Sequence, residues 1–205
     1  MNSFFKNVNG SKYLDNQEEK NFEKITIVLA SDAAVGKTAF LLRLLFKDYN
    51  EYMENEHLSP TIGSECHKLF INYRDTIVKF IIWDTPWINS IQFFGCMHLF
   101  RIADIFFLFY DSSYKDTLDA IEKKLALINK DCKRNVIFVL IRNKYDKDGK
   151  AEISDEEALE FADKNNMMLF HLSLHEKNET GIKELLETVL NKYFKTKEKG
   201  INKDD

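Results

Sequence analysis

Short runs of apolar residues recur along the chain, and they have the length and composition of buried strands. Four of them are rich in Ile, Val and Phe, as expected of strands that are covered on both faces. These four runs are KITIVLA (24–30), TIVKFIIW (76–83), DIFFLFY (104–110) and NVIFVLI (135–141). A weaker run, MMLFHLS (167–173), predicts a further strand, and the alternation in ECHKLFINY (65–73) predicts an edge strand.

The segments between these runs place apolar residues three and four positions apart, which is the period of a helix that packs on one face. The period is clear after Thr38, between 118 and 128, and between 182 and 193. Ser154 and Glu157 have the spacing of a capping box, which predicts that a helix begins there. Alternating strands and helices predict an α/β fold with a doubly wound, mostly parallel sheet. Such sheets bind ligands beyond the carboxyl ends of their strands.

Composition limits the classes to which the chain can belong. Its 205 residues suffice for one domain with its own core, and the net charge of -4 gives no general attraction to nucleic acid. No run approaches the roughly 20 apolar residues of a membrane span, and the start has no signal-peptide pattern. Three widely spaced cysteines, in no metal-ligand spacing, indicate reduced thiols. These features predict a cytoplasmic protein.

The two ends of the chain differ from its middle. Residues 1–22 are polar and rich in Asn, Lys and Glu, and we interpret them as a flexible tail. Residues 196–205 form a second, lysine-rich tail that would hold an anionic lipid surface only weakly. Asn2 excludes N-myristoylation, and the second tail has no cysteine to prenylate. One domain is therefore predicted over residues 23–195, and no lipid anchor is predicted in this chain.

The stretch SDAAVGKT (31–38) follows the first predicted strand and opens a helix, which is the context of a phosphate-binding loop. Backbone N–H groups of such a loop face phosphate oxygens, Lys37 would reach the β- and γ-phosphates, and Thr38 would offer its hydroxyl to Mg²⁺. Ser31 replaces the first glycine of the motif; if that position needed a positive φ, serine would cost about 1 kcal/mol. Taken alone, the stretch is also compatible with an ordinary strand–turn–helix that carries an exposed lysine.

A second loop indicates which base the nucleotide carries. Asn143, Lys144 and Asp146 form an N-K-x-D sequence directly after the strand NVIFVLI. The Asp146 carboxylate can accept two hydrogen bonds, from the N1–H and 2-amino groups of guanine, and adenine cannot offer that pair. Lys144 would pack its stem over the ring, and Asn143 would tie loops together. A lone NKxD is usually a charged surface turn, but after a phosphate loop and at a strand end it predicts a guanine site.

With further motifs, these loops make the chain resemble the Ras superfamily of small GTPases, and the Rab branch most closely. The motifs are the phosphate loop, SPTIG (59–63) as first switch, IIWDT (81–85) as entry to the second switch, LFRIAD (99–104), FYDSSYKDTLDAI (109–121), NKYD (143–146) and HLSLHEKNETGI (171–182). Their order and spacing agree with the family. The resemblance implies a P-loop small GTPase fold with a six-stranded sheet and five helices, GTP or GDP with Mg²⁺ as ligands, and a role in vesicle traffic.

The resemblance also assigns residues to the metal and to the nucleotide. Thr38 and Thr61 would coordinate Mg²⁺, and Asp84 would hold it through water. The nucleotide would be bound by residues of four loops, namely Ala33, Ala34, Val35, Gly36, Lys37, Thr38, Ala39, Thr61, Asn143, Lys144, Asp146, Ser173, Leu174 and His175. Protein effectors or regulators would contact residues around 59–65 and 86–100, and such partners could bring the protein to a membrane.

The second switch departs from the family sequence D-T-A-G-Q, because PWI (86–88) follows the shared Asp-Thr. The family glycine donates its backbone N–H to the γ-phosphate, whereas the Trp87 side chain and the fixed φ of Pro86 restrict the backbone there. The family glutamine orients the attacking water, and Ile88 has no donor or acceptor with which to do so. We therefore expect very slow or absent GTP hydrolysis and assign no catalytic residue.

The apolar segment PWINSIQFFGCMHLF (86–100) leaves two interpretations open, a partner-binding surface or a switch folded shut against the sheet. Three functions also remain open. They are a Rab-type nucleotide-binding switch or scaffold with impaired hydrolysis, a working GTPase with an unorthodox catalytic arrangement, and a pseudo-GTPase that binds no nucleotide. The retained phosphate, metal and guanine residues favour the first two over the third. Trp87 and Ile88 favour the first over the second.

Overall fold

The computed structural model describes residues 22–32, 34–45, 63–86, 95–133, 135–143, 151–172 and 180–201. Within these ranges six strands form one sheet in the order β2-β3-β1-β4-β5-β6. The strands are β1 (Glu23–Ser31), β2 (Glu65–Tyr73), β3 (Thr76–Asp84), β4 (Ile105–Asp111), β5 (Ile137–Asn143) and β6 (Met168–His171). β2 pairs with β3 in antiparallel fashion, and the other pairings are parallel. The predicted mostly parallel sheet is confirmed, with the predicted edge strand at its antiparallel edge.

Five helices accompany the sheet in the described ranges: α1 (Lys37–Leu45), α2 (His98–Ile102), α3 (Lys115–Asp131), α4 (Asp155–Lys164) and α5 (Thr180–Ile201). α4 begins with the predicted capping box. In it the Glu157 N–H donates to Ser154 Oγ at 3.1 Å, and the Ser154 N–H donates to the Glu157 carboxylate at 3.0 Å. None of the described helices is both long enough and apolar enough to cross a membrane.

The central strands β1, β4 and β5 are buried on both faces, which explains why their sequences are largely apolar, whereas β2 and β3 alternate buried with more exposed residues. Alternate residues of a strand point to opposite faces. Ile27 of β1 joins one core with α1 and α5, whereas Val28 joins the other core with α2, α3 and α4. Every residue of β5 is buried, including the polar pair Arg142 and Asn143 at its carboxyl end. Polar side chains at the carboxyl end of β5 are therefore buried together with the apolar side chains of the same strand.

The last helix, α5, is held against the beginning of the first strand. Lys197 contacts the Glu23 carboxylate with Nζ–O distances of 2.7 and 2.8 Å. The Tyr193 hydroxyl donates to the same carboxylate at 2.8 Å. These contacts bind the end of the helix to the domain, and they explain why the helix extends past residue 195, where the sequence placed the beginning of a tail.

Candidate functional site

Three predicted functional segments meet at the carboxyl edge of the sheet. β1 leads into the phosphate loop, β3 ends at Asp84 and β5 ends at Asn143. In the register of the sheet Asp84 lies opposite Leu29 of β1, and Asn143 lies opposite Asp111 of β4. This is the edge at which parallel α/β sheets bind ligands. The topology alone therefore brings the phosphate, metal and guanine residues into one region.

Lys37, the first residue of α1, is buried, with 7% of its surface exposed. Its Nζ donates to the backbone carbonyl of Asp32 at 3.0 Å. Burial lowers the pKa of Lys37 to about 8, although the charges of Asp84 and Asp32 oppose the shift. A bound anion would compensate the cost of burying this ammonium, and phosphate oxygens are such an anion. The alternative of an exposed lysine on an ordinary turn is excluded by this burial.

The backbone of the phosphate loop has positive φ at Ala34 (57°) and at Gly36 (98°). Ser31, in contrast, is the last residue of β1 and is fully buried, with its hydroxyl donating to the Asp32 carbonyl at 3.3 Å. Ser31, which replaces the first glycine of the motif, does not have a positive φ. The cost of about 1 kcal/mol that a positive φ would impose on a serine therefore does not arise at this position. The strain lies at Ala34 instead, because an alanine in the left-handed region costs about 1 kcal/mol relative to glycine.

Thr38 and Asp84 lie side by side next to the phosphate loop. The Thr38 hydroxyl donates to Asp84 Oδ2 at 2.6 Å, and Asp84 is 1% exposed. Burial raises the pKa of Asp84, opposed by the Thr38 hydrogen bond and by the charge of Lys37. A hydroxyl and a carboxylate are the hard oxygen ligands that Mg²⁺ prefers, and a divalent cation would favour the ionised carboxylate. The chemistry of this pair fits the implied metal.

The chain immediately after β3 is fixed against β1. The Thr85 hydroxyl donates to the Leu29 carbonyl at 2.7 Å, and Thr85 is fully buried. Pro86, the first residue that departs from the family sequence, is buried as well. The entry to the second switch therefore has one fixed path as far as Pro86.

The other end of the apolar segment, from residue 95 to residue 100, is also held against the protein. Leu99 and Phe100 of α2 are fully buried, and Cys96 is 4% exposed. Cys96 Sγ lies 2.7 Å from Ser64 Oγ, just before β2. Of the two interpretations of the segment, this end supports the one in which it folds against the sheet; residues 87–94 lie outside the described residues.

On the base side of the site, Asn143 links the phosphate loop to the end of β5. Its Nδ2 donates to the Val35 carbonyl at 2.7 Å, and the residue is 4% exposed. The neighbouring Arg142 is buried too, and its guanidinium forms an ion pair with Asp155 at the beginning of α4. Arg142 belongs to none of the motifs and was not identified from the sequence. A cationic residue at the end of an otherwise apolar strand could have indicated a buried ion pair there.

Several residues named from the sequence lie outside the described residues. They are the tail segment 1–21, Ala33 in the phosphate loop, Thr61 in the first switch, Trp87 and Ile88 in the second, Lys144 and Asp146 in the guanine loop, and Ser173, Leu174 and His175 in the last loop. The strand ends that precede the guanine loop and the last loop are in contact, because the Leu172 N–H donates to the Arg142 carbonyl at 2.8 Å.

Comparison with known proteins adds a family context to this geometry. The model of the Ras family matches residues 26–195. The Ras-related protein Rab-5A of Dictyostelium discoideum is 28% identical over 181 residues, which cover 88% of this chain and 86% of that protein. Rab-2B of the same organism is 32% identical over 146 residues, 71% of this chain and 69% of that protein. RABA4b of Arabidopsis thaliana is 27% identical over 170 residues, 83% of this chain and 72% of that protein.

Proposed function

This chain belongs to the Ras family and is Rab-like, and from that premise we propose that it binds GTP and GDP with Mg²⁺ but hydrolyses GTP very slowly or not at all. Its resemblance to Rab proteins motivates a role as a switch or scaffold in vesicle traffic. Protein effectors or regulators would contact the exposed residues of the switch segments, among them Glu65 and His98. A His98→Glu variant, whose change lies on an exposed residue of the second switch segment, should lose such a partner and keep its affinity for nucleotide.

The observation that carries the proposal of binding is the buried Lys37 beside the Thr38–Asp84 pair. Lys37 would charge-pair with the phosphates, and the backbone donors of the loop would bind their oxygens. Thr38 and Asp84 would hold Mg²⁺, which neutralises phosphate charge when it is bound. Asn143 would keep the guanine loop in register with the phosphate loop through its bond to the Val35 carbonyl.

The residues that follow Asp84 support slow hydrolysis. Phosphoryl transfer depends on positioning and electrostatics, and the attacking water needs a group that orients it. Ile88 offers neither a donor nor an acceptor. The buried Pro86 has a fixed φ, which restricts the backbone that leads to Trp87. A regulator that supplied an arginine would stabilise charge but would not orient the water.

One observation favours a second candidate, a pseudo-GTPase that binds no nucleotide. Thr38 and Asp84 already bond to each other at 2.6 Å, and Lys37 already bonds to the Asp32 carbonyl. These polar groups therefore have protein partners without a ligand. The remaining cost of the buried Lys37, seen in its lowered pKa of about 8, is the reason why nucleotide binding remains the first proposal.

The test is to purify the chain without added nucleotide, denature it and identify what is released by chromatography. Stoichiometric GTP is the expected result, because a site that binds and does not hydrolyse keeps its triphosphate. Stoichiometric GDP would show a functional pocket, and a single-turnover GTP assay would then separate GDP taken up from the host from GDP formed by this chain. Turnover as fast as that of an ordinary stimulated small GTPase would contradict the proposed slow hydrolysis. An empty protein would be mixed with Mg²⁺ and GTP, since a ligand at 100 times its Kd stabilises by about 2.7 kcal/mol. No rise in melting temperature would then establish the pseudo-GTPase.

A further inference from the structure

One face of the strands β2 and β3 lies outside both hydrophobic cores. Leu69 and Phe80, which are opposite each other in register, join the core with α1 and α5. Alternate residues of the two strands point to the other face. That face, with the adjoining residue of β1, is formed by Lys24, Lys68, Phe70, Ile77, Lys79 and Ile81, and we call it the β2–β3 face. Its three apolar residues belong to neither core, and Ile77 is 43% exposed.

The β2–β3 face carries positive charge that its own strands do not balance. Lys24 and Lys68 are exposed, and Lys79 is half-buried. Lys24 lies opposite Lys79 in the register of β1 and β3, and like charges in that position are destabilising. No residue that β1, β2 or β3 places on this face is acidic. The face therefore favours an occupant that brings carboxylates together with apolar side chains.

The chain that leads into β1 already lies on this face. The ring of Phe22 contacts the ring of Phe70 edge to face, with the centroids 5.6 Å apart. Because β3 separates β1 from β2 and neighbouring strands are about 4.8 Å apart, the Phe22 side chain leans across β3. Lys79 Nζ lies 5.5 Å from the centroid of the same Phe70 ring. Phe22 thus brings the segment that precedes it to the β2–β3 face.

That segment has a composition complementary to the face. The stretch YLDNQEE (13–19) contains two apolar residues, Tyr13 and Leu14, and no lysine or arginine. Its three acids, Asp15, Glu18 and Glu19, equal the three lysines of the β2–β3 face in number. Carboxylates and apolar side chains therefore stand next to each other in this stretch, as lysines and apolar side chains do on the face.

The acids are close enough in sequence to reach the lysines. They lie three to seven residues before Phe22, and an extended chain of that length spans about 10 to 23 Å. Lys68 is the farthest of the lysines. It lies opposite Ile81, four residues along β3 from Ile77, which places it about 13 Å along the strands and about 10 Å across them. The segment therefore reaches all three lysines without moving β1.

We propose that segment 13–21 docks on the β2–β3 face, with its three acids paired with the three lysines. Single exposed ion pairs are weak, but the short connection to β1 keeps the segment at a high effective concentration. The face continues to Cys66 and Trp83, which are opposite each other and lie between the two switch segments. The docked segment is consequently a built-in competitor of any partner that approaches the switch segments from this side.

The test uses Cys66, an exposed thiol on the same face, as the reporter. The full chain is treated with iodoacetamide, and mass spectrometry of peptides gives the alkylation rates of Cys66 and of Cys132 on α3. Reversal of the segment's acids, as Asp15→Lys, Glu18→Lys and Glu19→Lys together, should raise the Cys66 rate at least about threefold, because the released segment no longer shields the face. The Cys132 rate should stay unchanged.

The matched control reverses three exposed acids of α4 and α5, as Glu160→Lys, Asp163→Lys and Glu184→Lys, and therefore makes the same change in net charge. It should leave the Cys66 rate as in the wild type. An unchanged Cys66 rate after reversal of the segment's acids would overturn the inference, and so would an equal increase in the control.

Lys68→Glu with Lys79→Glu tests the pairing from the side of the face. In this background, reversal of the segment's acids should lower the Cys66 rate, because lysines of the segment then pair with glutamates of the face. A change in the same direction in both backgrounds would show a general effect of charge on the thiol and would contradict the inference. If the face variant does not fold, the reversal of the acids, its control and cross-linking decide.

Cross-linking with a carbodiimide joins a carboxylate directly to an amine in contact with it. In an equimolar mixture of unlabelled and isotope-labelled chains, links from segment 13–21 to Lys68 or Lys79 should join peptides of the same label. Links between different labels would assign the occupant to a second copy and overturn the inference. Absent links, or equal linking to the exposed Lys123 of α3, would also overturn it. These measurements need no nucleotide, so their failure would leave the proposed function standing.

Discussion

The phosphate loop after β1 and the segment after β3 both depart from the family sequence, but the departures differ in kind. In the phosphate loop, Ser31 and Ala34 replace residues whose contribution is made by the backbone, and the buried Lys37 is kept. After β3, PWI (86–88) replaces a glycine that must approach phosphate and a glutamine that must orient water. The changes in the phosphate loop concern side chains around backbone donors, whereas the change after β3 replaces the side chain to which the resemblance assigns the attacking water.

This contrast predicts which functions tolerate substitution. A backbone N–H persists whatever side chain is attached, provided that the φ and ψ angles can still be adopted. A hydrogen bond made by a side chain is lost when that side chain is replaced. An isoleucine in place of a glutamine has a similar volume but supplies neither a donor nor an acceptor. Binding and hydrolysis can therefore separate in one chain, because they depend on these two kinds of group.

The largest expected effect is the loss of binding in Lys37→Met, which retains most of the side-chain volume and removes the charge. GDP affinity should fall at least about 100-fold, since hydrogen bonds to charged groups contribute roughly 1.5–3 kcal/mol each. Calorimetry with Mg²⁺ and GDP measures this. The control is Lys123→Met on the exposed side of α3, which should bind as the wild type does. Equal binding by Lys37→Met would contradict the assignment of the phosphate loop.

The second expected effect is on the rate of GTP hydrolysis, with the affinity for GDP unchanged. Restoring the family sequence with Pro86→Ala, Trp87→Gly and Ile88→Gln should raise the single-turnover rate of GTP hydrolysis at least about tenfold, because it restores a group that orients water. The GDP dissociation constant should stay within about twofold, since no phosphate-loop or guanine contact is changed. A wild-type chain that already turns over as fast as this variant would remove the contrast between the two segments.

A third and smaller effect lies within the phosphate loop. Ala34→Gly should stabilise the nucleotide-free protein by about 1 kcal/mol, because glycine adopts a φ of 57° without strain. Ala39→Gly is the control of opposite sign, since glycine inside α1 should destabilise by about 1 kcal/mol. Urea unfolding monitored by circular dichroism gives both values. A loss of stability in Ala34→Gly would show that the loop holds alanine without strain.

The smallest expected effect is on the pH dependence of stability. It concerns the Glu157 carboxylate, which accepts a hydrogen bond from the Ser154 backbone N–H in the capping box of α4. Its hydrogen bond from the Ser154 N–H, and then the charge of Lys115, hold the pKa of Glu157 below its ordinary value of 4.5. The folded state therefore binds this proton less readily than the unfolded state, so the contribution to stability is complete above pH 4.5 and is lost as pH falls below it.

Glu157→Gln should flatten this acid limb of the stability curve slightly, and Glu156→Gln should leave it as in the wild type. Urea midpoints between pH 3 and pH 6 measure the difference. A steeper loss of stability on acidification in Glu157→Gln would contradict the sign derived for this carboxylate.

The fold could be predicted because its signals are local and repeated. β4 and β5 are buried along their whole length, so their apolar runs are uninterrupted, and the capping box marks the beginning of α4 within four residues. The end of α5 could not be predicted in this way. Lys197 is held by Glu23, which lies 174 residues earlier in the sequence, and no local pattern indicates that contact.

The candidate site likewise contains residues that could be predicted from local sequence and residues that could not. Lys37, Thr38 and Asn143 belong to motifs whose spacing identifies them, and the sheet brings them to one edge. The strained residue could not be found, since the sequence shows an alanine at 34 and does not show its φ. The Arg142–Asp155 pair could not be found either, because it depends on how α4 packs against the end of β5.

The ion pair between Glu23 and Lys197 has a consequence for protein engineering. It places the beginning of β1 and the end of α5 within a single side-chain contact of each other. A folded unit with adjacent ends can be inserted into a surface loop of a host protein through two short linkers, without spreading that loop apart. The same ends can also be joined and the chain reopened in an exposed turn, which would give a circularly permuted form with the sheet order unchanged.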